Sequence, residues 1–165
     1  MLHMSAFAAL VFLPIAGPVA IWVAWNDMKF MKIPNKAVLT VLIGFALLGL
    51  LVLPLQDYAW RWLQFGGVLI AGWAMTMVRL VGAGDAKFAA AMAPFVAYGD
   101  FLFVIYLFSA VLLAAFVSHR LLRAWPPFRR ASPDWESWRR RDFPMGLALG
   151  GTLLFYLMIA VRYGA

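Results

Sequence analysis

Two of the seven acidic residues in this chain, Asp27 and Asp85, stand at the ends of long apolar runs. A carboxylate beside a lipid-facing segment is costly to desolvate and by default marks a functional site. Two carboxylates a few ångströms apart resist double ionisation, so such a pair holds one proton near neutral pH. The ionised member can draw a proton from water while the protonated member polarises a carbonyl, and the roles reverse as an amine leaves. That is the chemistry of peptide-bond hydrolysis without a metal, a thiol or a serine–histidine pair. The chain suits it: there is no cysteine, and His3 and His119 are the only histidines. Thiolate and histidine metal sites are thereby excluded, and no cofactor is expected. Each aspartate also has a plainer reading. Asp85, in Gly82-Ala83-Gly84-Asp85-Ala86-Lys87, can be the N-cap of a helix. Asp27 can balance Lys29 and Lys32 at an interface.

The elements that must position these residues are transmembrane helices. The chain is 65% hydrophobic and 13% charged, with a mean hydropathy of +0.87, whereas soluble domains are roughly 45–50% apolar and about 25% charged. A single polytopic membrane domain over residues 1–165 follows, all-α, with about six transmembrane helices. The spans are expected near 6–25, 37–55, 63–80, 85–98, 101–118 and 144–161. Pro14, Gly17 and Pro18 are expected to kink or loosen the first span. Gly66, Gly67 and Gly72 are expected to allow close helix contact in the third. The fourth element is short, with about ten continuously apolar residues, and reads as either a thinned, kinked crossing or a re-entrant segment. Its glycines at 82 and 84 are expected to supply backbone angles that other residues avoid. The tryptophans read as interfacial anchors. The start of the chain lacks the basic region of a secretory signal, so the first apolar run is expected to be retained.

Charge sets the orientation. If all six elements cross, Lys29, Lys32, Lys36, Arg79, Lys87 and the seven arginines of the 119–143 loop share one side, which is 12 of the 14 basic residues. That side is then cytoplasmic and both termini lie outside. The split also accounts for the net charge of +7 without nucleic acid, and the basic loops are expected to lean on anionic head groups. Asp27 and Asp85 fall at the cytoplasmic end, each just beyond a helix end. Asp57 and Asp100 fall on the outer side as solvated turn residues, while Asp134, Glu136 and Asp142 are expected to pair with the charges of the arginine loop.

Three motifs in order add a resemblance. Asp27 followed by Ile33-Pro34-Asn35 resembles the aspartate-x5-Ile-Pro-Asn pattern of type IV prepilin peptidases. Gly82-x-Gly84-Asp85-x-Lys87 resembles the family's Gly-x-Gly-Asp-x-Lys motif, and Pro144-x-Gly146-x-Ala148 resembles the segment that opens its last helix. The resemblance implies a six-helix aspartic endopeptidase of the bacterial inner membrane. It would remove the leader peptide of a prepilin-like substrate at the cytoplasmic face, with Asp27 and Asp85 as the catalytic pair. Gly82, Gly84, Lys87, Pro34 and Asn35 would shape the site, with Pro34-Asn35 starting the second helix and Lys87 also serving as an interface charge. Partners would be the prepilin and the pilus assembly machinery. The short chain is similar to the tight-adherence, or Flp-pilus, branch. Longer members add a cytoplasmic domain, often with paired CxxC motifs, and methylate the new N-terminus. The absence of cysteine here argues against that second activity. Two rival readings are a non-catalytic component of a pilus or secretion assembly and a presenilin-like intramembrane protease. The latter shares Gly-x-Gly-Asp but not Ile-Pro-Asn. A small transporter would place its acids near mid-membrane, and here every acid lies at an end.

Overall fold

Long apolar runs satisfy their backbone hydrogen bonds within each segment, and in lipid this leaves the helix as the available form. The computed structural model describes residues 1–165 and contains helices and short 3-10 turns but no strand. The helices are α1 (Ala6–Phe30), α2 (Asn35–Val52), α3 (Leu55–Met77), α4 (Ala83–Met92), α5 (Phe101–Ala124), α6 (Pro126–Ala131) and α7 (Met145–Tyr163). Two 3-10 turns, Ala93–Phe95 and Tyr98–Asp100, link α4 to α5, and a third, Glu136–Trp138, lies in the arginine loop. Four helices are long and apolar enough to cross a membrane: α1, α2, α5 together with its leading turn, and α7. α3 is long enough, but Gln56, Asp57, Arg61 and Gln64 make its first half polar.

α1 and α7 form the centre, antiparallel and in extensive contact, with α2 and α5 flanking them and α3 covering α4. Phe12, Phe45, Phe95 and Tyr156 are fully buried between these helices. Phe95 meets Phe12 and Phe45 edge-on at ring-centroid distances of 5.0 and 5.5 Å, a favourable arrangement for aromatic quadrupoles. The outer faces of α3 and α5 are almost wholly exposed apolar surface.

The fourth element does cross the bundle. Gly84 lies against Ile33, at the end of the bundle where α1 turns into α2. Asp100, at the other end of the segment, accepts hydrogen bonds from His3 and Met4 just ahead of α1. The ten residues of α4 would reach only about 15 Å as a helix, and the two 3-10 turns carry the chain the remaining distance. Pro94 sits at the start of this tighter stretch, where its missing N–H disrupts no α-helical ladder. The segment is therefore a short, broken crossing of the bundle. All six crossing segments alternate in direction, so the 12 basic residues grouped from sequence do lie at one end.

One expectation about packing is corrected, and α1 is helical through Pro14 and Pro18. It stops at Met31, whose left-handed φ of 52° closes the helix with its N–H on the Asp27 carbonyl. Gly66 and Gly67 face open space, so they mediate no close helix contact, whereas a Cβ at Gly72 would lie 2.9 Å from that of Ala86.

Candidate active site

Asp27 lies in the last turn of α1, inside the helix and not beyond it, and is 5% exposed. Its Oδ2 accepts the backbone N–H of Gly146 at 2.6 Å. Gly146 is the second residue of α7, after Pro144 at the N-cap. The first N–H groups of a helix lack partners within it, so Asp27 caps α7 from a neighbouring helix. The fit leaves no room for a side chain at 146. A Cβ there would lie 2.8 Å from the Asp27 Cβ and 3.0 Å from its Oδ2.

Asp85 is the third residue of α4, half-buried, again inside its helix and not beyond it. The N-cap is Gly82, three residues ahead, and the Asp85 Oδ2 lies close to it. The simple N-cap reading of Asp85 is therefore corrected by three residues. Gly82 has φ −68° and ψ 144°, and no glycine in the chain has positive φ. The expected special backbone angles are absent. Space is what glycine provides at 82, since a Cβ would lie 2.6 Å from the Asp85 Oδ2. At Gly84 a Cβ would make only ordinary contact, 3.5 Å from the Ile33 Cβ.

This contact brings the two sequence motifs together, because Ile33 follows Asp27 in the α1–α2 connector.

A cleft of about 480 Å³ opens at this end of the bundle, lined by Asn26, Phe30, Lys32, Ile33, Pro34, Glu136 and Arg140, with neither carboxylate in its lining. Pro34 caps α2 and Asn35 begins it, as expected. Pro34 lines the cleft, while Asn35 and Lys87 are exposed. The opposite wall comes from the arginine loop. Trp135 meets Trp25 of α1 edge-on at 5.0 Å and stacks on Trp138 at 5.5 Å. With Met28 these two tryptophans form a small buried cluster, so they fasten the loop to α1 and are not interfacial anchors. Glu136 pairs with Arg140 at 3.1 Å as expected, the sole salt bridge. Asp134 and Asp142 are exposed and unpaired.

Asp100 departs furthest from expectation. It is 2% exposed and not a solvated turn residue. Its carboxylate accepts the His3 N–H at 2.7 Å, the Met4 N–H at 3.0 Å and the Tyr156 O–H at 2.7 Å. Nearby, buried Arg61 donates to the Pro94 carbonyl at 3.1 Å. This network ties the start of the chain to α7 at the end remote from Asp27. Nothing in the local sequence around Asp100 signals it. Gly146 was legible within its motif, but its contact with Asp27 was not.

The model of the Type IV leader peptidase family matches residues 15–118. That stretch includes Asp27 and Asp85 and ends before Gly146. No curated protein and no solved structure matches the chain.

Proposed function

Since the chain belongs to the type IV leader peptidase family, a family of membrane-associated proteases, we propose that it is an aspartic endopeptidase with Asp27 and Asp85 as its catalytic pair. The observation that carries this reading is that the two carboxylates share one end of the bundle, where Gly84 lies against Ile33. They come from different helices to one end of the bundle, and Asp27 is buried and fixed by Gly146. One proton is shared by the pair. The ionised carboxylate takes a proton from water as the water oxygen attacks the scissile carbonyl, and the other donates to the carbonyl oxygen. Collapse of the tetrahedral intermediate breaks the C–N bond, and the amine leaves with a proton from the pair.

The substrate in this reading is the leader of a prepilin-like protein of the Flp type, with pilus assembly components as further partners. Its polar segment enters the cleft between the α1–α2 connector and the arginine loop. With 12 of 14 basic residues at the end that carries the pair, that end is cytoplasmic and both termini are outside, in a bacterial inner membrane. The decisive experiment is leader cleavage by Asp27→Asn and Asp85→Asn variants in lipid. A protein that inserts and binds prepilin but never cuts it would instead be a non-catalytic assembly component.

Gly146 supplies a graded test. Gly146→Ala forces its new methyl and Asp27 apart. A misplacement of about 1 Å at a reacting group can cost on the order of 10²-fold in rate. A loss of that order is expected in kcat for cleavage, with the helical content unchanged. An Ala variant as fast as the parent would remove Asp27 positioning from the mechanism.

A further inference from the structure

Most arginines of the loop have no acidic partner, because the single salt bridge takes only Arg140. Three of them, Arg129, Arg130 and Arg139, line one cavity of about 440 Å³ with Pro126, Pro133 and Trp138. Like charges gathered around one opening repel each other unless an anion joins them. The floor of the cavity is built and not fluid. Trp138 is 3% exposed, donates its indole N–H to the Ser132 carbonyl at 2.9 Å, and is stacked between Trp135 and His119.

The position of the cavity identifies its occupant. α6 begins directly after Trp125, the residue that ends the apolar helix α5. Trp125 is 56% exposed and its ring lies parallel to that of Phe128, as an indole at a head-group boundary would be. Below it, α5 presents Leu121, Val117 and Phe116 outward, a surface for an acyl chain. The guanidinium fork matches phosphate oxygens. Basic clusters directly beside a transmembrane helix bind anionic lipids.

We propose that Arg129, Arg130 and Arg139 form a binding site for the phosphate of one anionic phospholipid, whose chains lie along α5. The site is separate from the carboxylate pair and independent of the reading given to it. It neutralises charge that would otherwise push α6 away from the 3-10 turn at Glu136–Trp138.

The test is native mass spectrometry of the full chain in detergent, titrated with phosphatidylglycerol or with phosphatidylcholine of the same chains. One phosphatidylglycerol should be retained, and phosphatidylcholine should not. With about 1 kcal/mol per basic residue near an anionic surface, the triple variant R129Q/R130Q/R139Q should bind it about 100-fold more weakly. A charge-matched control, R120Q/K36Q/R141Q, should retain it, and circular dichroism should show both variants equally helical. Equal retention of the two lipids, or an equal loss in the control, would mean diffuse attraction and overturn the site. Displacement of the lipid by equimolar glycerol phosphate would also overturn it, in favour of a small-anion pocket.

Discussion

Asp27→Asn and Asp85→Asn should each abolish leader cleavage while the protein still inserts and folds. Positioned acid–base groups contribute roughly 10²–10⁴-fold. Losing either carboxylate disables both halves of a shared-proton cycle, so the loss should reach the upper part of that range or more. Asn is close in size to Asp and its side-chain oxygen can still accept the Gly146 N–H that now goes to Asp27. The substitution thus removes ionisation more than packing. The two losses should not add, because the double variant lacks the same single device. The measurement is single-turnover cleavage of a prepilin-like substrate in lipid vesicles, with prepilin binding measured in parallel. Near-parental rates in either variant would falsify the assignment.

The second large effect concerns stability and lies at the opposite end of the bundle. Asp100→Ala leaves the N–H groups of His3 and Met4 and the O–H of Tyr156 without their acceptor. An unsatisfied buried donor costs about 1–3 kcal/mol, and water entering the space would recover part of that. A net loss of about 3 kcal/mol is expected, read as a marked fall in the melting temperature of purified protein. Asp57→Ala removes an exposed carboxylate from the first turn of α3 and should change melting little. Because the Asp100 network is remote from Asp27 and Asp85, cleavage per folded molecule should survive in Asp100→Ala. A variant that keeps its melting temperature would mean that the network is dispensable. One that melts normally but loses cleavage would couple the two ends of the bundle.

The amino-acid sequence by itself determined the membrane character, the all-helical fold and the two carboxylates that stand out. Each of these rests on local or summed properties. Apolar run length dictates a helix, basic residues sort to one end, and an acid beside such a run is rare enough to stand out. The short fourth segment stayed open between a crossing and a re-entrant turn, because its apolar run is too short for length alone to decide. Only the tertiary structure decided how the carboxylates are held. The Gly146 N–H comes to Asp27 from 119 positions away, and no periodicity carries that pairing. Gly82 serves to clear space for Asp85, a packing fact and not a backbone one. Asp100 shows the limit most plainly: from sequence it looked like one more polar turn residue. The backbone groups of His3 and Met4 that bury it are ordinary in every chain, and only the fold brings them within hydrogen-bonding distance.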